Sequence, residues 1–184
     1  MEAIDFCRVK KFNEKGYGFL KGIYYPEDIF FHLSKIKNDV FKEKFDNLVR
    51  GSFFLYFTSF EKGGKRKVNT FWYDLKDAPK EYVPFMVDRI IYHLNEGRVN
   101  LFDLIYVINE LKKYDLLPEN KMKEILKAER IISKPTVILE HLSDEELKFL
   151  IENLGIEKLQ KLPDNEQPYW LEDLISFLEN KKED

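Results

Sequence analysis

KKFNEKGYGFL at residues 10–20 and DIFFHLS at residues 28–34 are the stretches that decide the fold of the first part of the chain. Aromatic and aliphatic side chains stand at neighbouring positions in both stretches, with lysines and glycines in the first. Because successive side chains of a β-strand point to opposite faces, each stretch predicts a short strand with two apolar faces. Leu20, Ile29 and Phe31 are enough to fill a core on one of those faces.

The other aromatic side chains of these two strands are left over from the core. Strand alternation places Tyr17 and Phe19 on one face of the second strand, and Phe30 and His32 on one face of the third. Flat rings outside a core, beside lysines, are typical of surfaces on which unpaired nucleic-acid bases stack. The sequence therefore predicts a stacking surface for single-stranded nucleic acid.

Both motifs resemble those of the cold-shock domain family. KGYGFL at residues 15–20 resembles its first ribonucleoprotein motif, and IFFHL at residues 29–33 resembles its second. The preceding VKKFN at residues 9–13 resembles the family's first strand. The resemblance covers about residues 3–75 and implies a five-stranded OB-type antiparallel β-barrel that binds single-stranded RNA or DNA.

The chain departs from the family pattern at three places. Lys11 stands where the family has a stacking Trp, and Leu33 stands where it has an aromatic residue. The turn at residues 13–16 is one residue shorter than the usual form. One stacked ring contributes about 1–3 kcal/mol to binding, so these losses favour an alternative in which the barrel is mainly a scaffold of a protein-interaction adaptor.

The predicted nucleic-acid-binding residues are the rings and lysines of the motifs, one loop aromatic and the basic residues near residues 61–67. The loop aromatic also fits a second interpretation, core packing of a helix, and the basic stretch also fits a solvated turn. The predicted set is Lys10, Lys11, Phe12, Lys15, Tyr17, Phe19, Phe30, His32, Phe41, Lys62, Lys65 and Arg66.

Charge divides the chain into two parts. Residues 1–76 hold 15 Lys and Arg against 10 Asp and Glu, whereas residues 77–184 hold 15 against 23. The first part attracts phosphates and the second repels them. Charge therefore favours nucleic-acid binding by the first part only. We expect low-specificity binding of single-stranded RNA or DNA there, with RNA favoured over DNA.

Hydrophobic periodicity changes near residue 77, from two to 3.6 residues. We expect an α+β protein with the barrel at 1–76, a linker at 77–82 and an all-α bundle of about six helices at 83–184. A further helix is expected within the connection at residues 34–51, where apolar residues recur at helical spacing. Pro135 is expected to begin a short helix that runs to about residue 141.

The acidic helical part is the expected site of an unknown protein partner or of self-association. Ser143 and Glu146 form a capping-box pattern, and Gly155 is a suitable C-terminal stop for the helix between them. The stretch at residues 142–178 resembles bacterial death-like adaptor domains, which are six-helix interaction modules, and no residue role is carried over from that resemblance.

Other classes of protein find little support in the sequence. A single cysteine, Cys7, fits a reducing cytoplasm, and no motif for a metal, a cofactor or a nucleophile elbow is present. No apolar run is long enough to predict a membrane span. We therefore expect a cytoplasmic protein without a cofactor and without catalytic residues; an enzyme with a site between barrel and bundle is the weakest of the three hypotheses.

Overall fold

The structure is a computed structural model that describes residues 3–9, 13, 15–36, 42–43 and 53–183. The chain divides into two compact units. The first comprises Met1–His93 and Glu110–Leu116, and the second comprises Leu94–Asn109 and Leu117–Asp184. The predicted linker at residues 77–82, between the barrel and the helical bundle, stays a prediction.

Five strands form one sheet in the first unit. Their order across the sheet is β1-β4-β5-β3-β2. The strands are β1 at Asp5–Val9, β2 at Tyr17–Leu20, β3 at Ile29–His32, β4 at Phe53–Lys62 and β5 at Lys65–Trp72.

The sheet is an open half-barrel in the described residues. β1 pairs with β4, β4 with β5 and β2 with β3 in antiparallel fashion. The prediction of an antiparallel sheet is wrong at one contact, since β3 and β5 pair in parallel. Parallel neighbours need a long connection, which the chain between β3 and β5 provides. Closure of the barrel between β1 and β2 stays a prediction.

One face of the sheet carries the core of the first unit. Leu20, Ile29 and Phe31 are buried there, as the alternation of the two motifs predicts. The same face buries Cys7 and Phe57 from β1 and β4. On the opposite face of β1 and β4, three aromatic side chains are also buried, with Phe6 lying 6.3 Å from Phe54 and 6.5 Å from Tyr56 between ring centroids.

The β4–β5 hairpin has a two-residue turn. Gly63 and Gly64 have φ angles of 62° and 69°, the left-handed conformations that such a turn requires. Lys62 and Lys65 are therefore directly paired strand residues. The prediction of a long basic turn over residues 61–67 is wrong, because the two glycines alone reverse the chain.

The helix that begins at Val83 is bonded to the β2–β3 loop through the Ile23 peptide group. Helix α1, Val83–Asn95, contributes Arg89 and His93, which donate to the Ile23 carbonyl oxygen over 2.8 and 2.6 Å. The Asp5 Oδ1 atom accepts from the Ile23 N–H over 2.6 Å. Because a Cβ on Gly22 would overlap the Asp5 carboxylate, glycine is required there.

The rest of the described chain is helical. It contains seven α-helices with α1 rather than about six, because two single-turn helices are added and the helix expected to begin at Pro135 is not an α-helix. The others are α2 at Leu101–Lys113, α3 at Glu119–Leu126, α4 at Glu129–Ile132, α5 at Asp144–Leu154, α6 at Ile156–Leu159 and α7 at Leu171–Glu183.

Helix α5 begins and ends where the sequence predicts. The Glu146 N–H donates to Ser143 Oγ over 3.3 Å, and the Ser143 N–H donates to Glu146 Oε2 over 2.8 Å. Gly155 ends the helix with a φ of 63°. The capping box and the glycine stop are both confirmed.

Two helical details differ from expectation. The α-helix expected to begin at Pro135 is instead a pair of 3₁₀ turns, Pro135–Val137 and Leu139–His141. Three consecutive β-branched residues follow this proline, which disfavours a regular helix. The helix expected over residues 34–51 lies outside the described residues apart from Lys42 and Glu43, which are helical.

Candidate nucleic-acid interface

Four rings of β2 and β3 form one cluster on the outer face of the sheet, which we call the platform: Tyr17, Phe19, Phe30 and His32. The strand register pairs Tyr17 with His32 and Phe19 with Phe30. Ring centroids lie 5.8 Å apart for Phe19–Phe30 and 6.1 Å apart for the stacked Tyr17–Phe30 pair. The structure thus assembles the four rings as strand alternation predicts.

Phe19 is the most accessible ring of the platform. Its side chain is 59% exposed, whereas the other three are half-buried. The half-buried rings support one another, with Phe30 6.4 Å from His32 and Phe19 6.2 Å from Tyr17 between centroids. An exposed ring held by neighbouring rings offers a preorganised flat surface to a base.

The hydrogen bonds of His32 define its donor and acceptor atoms. The Ser34 backbone N–H donates to His32 Nδ1 over 3.0 Å, and the Ser34 hydroxyl lies 2.8 Å from the same nitrogen. Nδ1 is therefore an acceptor, and the neutral ring carries its proton on Nε2. The platform gains a hydrogen-bond donor among its rings.

The short turn before β2 is held by local hydrogen bonds. The Lys15 N–H donates to Asn13 Oδ1 over 2.8 Å, and the Gly16 N–H donates to the Asn13 carbonyl oxygen over 2.8 Å. Gly16 has a φ of 79°, which an L-residue rarely adopts. Lys15 is exposed beside the platform, as predicted.

Leu33 belongs to the core and not to the platform. It packs half-buried against the core cluster and lies next to Gly16. Leu33 therefore contributes its side chain to the core of the sheet and not to the platform.

The hairpin contributes an aromatic residue that the sequence reasoning did not select. Phe60 is directly opposite Lys67, and Lys67 is in turn the partner of Phe30. Phe60 is 38% exposed. The sequence feature that indicates the face of Phe60 is the Gly63–Gly64 pair, because a two-residue turn fixes the register of the hairpin.

Arg66 lies on the other face of the hairpin. Its guanidinium is 3.2 Å from a Glu27 oxygen, 3.6 Å from a Glu61 oxygen and 3.4 Å from the Tyr25 ring centroid. The pKa of Glu27 lies below its ordinary value because its own backbone N–H and the Arg66 guanidinium bond to the carboxylate. The structure thus joins Arg66 to the β2–β3 loop and separates it from Lys62 and Lys65.

Four predicted binding residues lie outside the residues that the structure describes. They are Lys10, Lys11, Phe12 and Phe41. Among the described residues, no group of three His, Cys, Asp or Glu side chains is arranged to hold a metal ion. None of the described helices has the length and apolar character needed to cross a membrane.

Comparison with protein families matches residues 7–66 to the 'Cold-shock' DNA-binding domain. Neither the curated proteins nor the solved structures yield a match to this chain. The resemblance to bacterial death-like adaptor domains at residues 142–178 therefore stays a prediction. For residues 7–66, about a third of the chain, the cold-shock resemblance is confirmed, and it implies nucleic-acid binding in general.

Proposed function

We propose that the first part of the chain binds single-stranded nucleic acid with little sequence preference, and RNA more than DNA. The observation that carries this proposal is the ring cluster of the platform, with Phe19 exposed and Phe30 5.8 Å away from it. Bases stack on such rings without regard to sequence, because every base has a π-face. Closure of the sheet into an OB-type barrel through β1 and β2 is part of the same proposal.

Phosphates meet the lysines that flank the platform. Lys15 stands at the start of β2, and Lys62 and Lys65 stand at the end of the hairpin. Lys10, Lys11, Phe12 and Phe41 keep their proposed contacts from the family resemblance. Arg66 has the least support among the proposed contacts, because two carboxylates already bind its guanidinium.

Fluorescence titration of short oligonucleotides tests the stacking. We expect the Phe19→Ala/Phe30→Ala variant to bind at least ten-fold more weakly, since each stacked ring contributes about 1–3 kcal/mol. Affinity should also fall steeply as salt rises, because bound phosphates release counterions. Ribo- and deoxyribo-oligonucleotides of the same sequence measure the RNA preference.

Phe102→Ala is a matched control, because Phe102 is as exposed as Phe19, at 59%, and lies in the second unit. Equal affinity of wild type and double variant for every oligonucleotide would contradict the stacking proposal. Equal weakening by Phe102→Ala would show that any exposed ring contributes, and that the platform has no special role.

The adaptor alternative concerns the helical part of the chain, residues 83–184. Its surface carries exposed aromatic side chains, Phe102, Tyr106 and Tyr169, of which Tyr169 is 75% exposed. Exposed aromatic residues are enriched where proteins bind partners. We propose that residues 83–184 bind a protein partner or a second copy of the chain, within a cytoplasmic protein.

Purification from the native host separates the two functions. Co-purifying nucleic acid, seen as a raised ratio of absorbance at 260 to 280 nm, supports nucleic-acid binding. A stoichiometric protein partner in its place supports the adaptor.

A further inference from the structure

A row of paired residues crosses the outer face of the sheet beyond the platform. Phe19 is opposite Phe30, Phe30 is opposite Lys67, and Lys67 is opposite Phe60. Directly paired residues of neighbouring strands share a face of the sheet. The row therefore places a charge between two aromatic groups, and its fourth member lies two strands beyond Phe30.

The spacing makes Phe60 a separate position for a base. Neighbouring strands are about 4.8 Å apart, so Phe60 and Phe30 lie about 10 Å apart across the sheet. Stacked nucleotides rise about 3.4 Å each, so the two rings cannot serve the same base. Phe60 is 38% exposed and Lys67 is half-buried between the two rings.

The end of the hairpin concentrates positive charge on the same face. Lys62 is directly opposite Lys65. Strand alternation places both lysines on the same face of the sheet as Phe60 and Lys67. Like charges directly opposite each other destabilise a strand pair. In the described part of the chain no carboxylate pairs with these lysines, so a bound anion would relieve their repulsion.

On the opposite face of this hairpin, the cation Arg66 already has carboxylate partners. Arg66 is only 11% exposed in its side chain and is bonded to carboxylates of Glu27 and Glu61. One short hairpin thus neutralises its arginine on one face and presents three lysines on the other. The lysine-rich face is the one that continues the platform.

We propose that a bound single strand continues from Phe30 across Lys67 to the hairpin, where Phe60 stacks a further base and Lys62 and Lys65 contact the phosphates beside it. This inference rests on the proposed function and extends its binding surface to β4 and β5. Phe60 lies outside the two motifs and supplies a further ring, in a chain where Lys11 and Leu33 stand in place of aromatic residues of the family.

Oligothymidylates and oligouridylates of increasing length test this extension. Wild-type affinity should rise when the oligonucleotide becomes long enough to reach Phe60. Phe60→Leu keeps an apolar side chain and removes the ring, so it should lose about ten-fold in affinity for the long oligonucleotides and nothing for the shortest. Phe60→Tyr keeps the ring and should retain the gain with length.

Salt titration tests the lysines separately. The Lys62→Ser/Lys65→Ser variant should lower the slope of log affinity against log salt by about 1.4, or about 0.7 for each phosphate contact to a single strand. Phe102→Leu is the matched control and should change neither measurement. Circular dichroism of each variant verifies that the sheet is intact.

The outcomes distinguish this inference from the proposed function. If Phe60→Leu matches wild type at every length while Phe19→Ala weakens binding, the hairpin position is wrong and the platform stands. If neither variant changes binding, the proposed function itself fails. If Phe60→Tyr loses as much affinity as Phe60→Leu, stacking on this ring is excluded.

Discussion

The two ends of one sheet use aromatic residues in opposite ways. At the covered end, formed by β1 and residues 53–58 of β4, Phe6, Phe54 and Tyr56 are buried on the outer face. At the platform end, the outer face of β2 and β3 leaves Phe19 exposed. Both ends are rich in aromatic residues, so aromatic content alone does not identify a binding surface. Burial of the outer face distinguishes them.

The covered end also holds a buried charge, which the platform end does not show among its described residues. Asp5 is buried, and its Oδ1 accepts from the N–H groups of Phe6 and Ile23 over 2.8 and 2.6 Å. Burial raises the pKa of Asp5 to about 6 against its hydrogen bonds and the nearby Arg89, which lower it. The two ends should therefore respond differently to mutation and to pH.

The largest expected effect is on stability at the covered end. Phe6 is buried on the outer face of the covered end, so Phe6→Ala should lower the free energy of unfolding by about 3–5 kcal/mol. Phe19→Ala removes an exposed ring and should change it by less than about 0.5 kcal/mol. Urea denaturation measures both. A comparable loss for Phe19→Ala would remove the distinction between the two ends.

The second largest expected effect is a dependence of the unfolding free energy on pH. The pKa of Asp5 is raised from 3.8 to about 6 in the folded protein, so the folded state binds this proton more tightly than the unfolded state. The resulting stability is present below about pH 4 and is lost as pH rises through about 6, a change of about 3 kcal/mol.

Asp5→Asn isolates this contribution, because asparagine does not titrate and keeps an oxygen acceptor. The difference in unfolding free energy, wild type minus variant, should fall between pH 4 and pH 7. A difference that stays constant over this range would show that burial does not perturb Asp5. Oligonucleotide binding by the platform should be unaffected by the variant.

The smallest expected effect separates the two faces of the hairpin. Arg66→Ala should lower the unfolding free energy by about 1 kcal/mol, since it removes partly exposed ion pairs and the contact with Tyr25. It should change the salt dependence of binding less than Lys65→Ala does. Lys65→Ala should reduce that dependence and should not lower stability, because it removes the repulsion with Lys62. The reverse pattern would place the phosphates on the Arg66 face.

Parts of both units were predictable because their signals are local. Alternation in the two motifs predicted which side chains of β2 and β3 enter the core, and the capping residues of α5 predicted its ends. The family resemblance of residues 7–66 was also readable from the motifs. Such features depend only on residues that are close to one another in the sequence.

The extent of the binding surface was less predictable. Phe60 lies in the same strand as the buried Phe54, Tyr56 and Phe57, so the Gly63–Gly64 turn indicates its face but no local signal indicates its exposure. Its place beside Lys67 and Phe30 depends on the pairing of β4, β5 and β3, which brings together residues far apart in the chain. The ion pair of Arg66 was unpredictable for the same reason, because its partner Glu27 comes from a distant loop.

The sequence by itself determined the strand motifs, the platform rings and the caps, because side-chain alternation and helix capping act within a few residues. Only the tertiary structure decided which aromatic residues stay exposed and which cations are already paired. Burial and ion pairing depend on strand order and on loops from elsewhere in the chain. The motifs at residues 10–20 and 28–34 therefore identify the rings of the platform, and the sheet register decides which residues lie beside them.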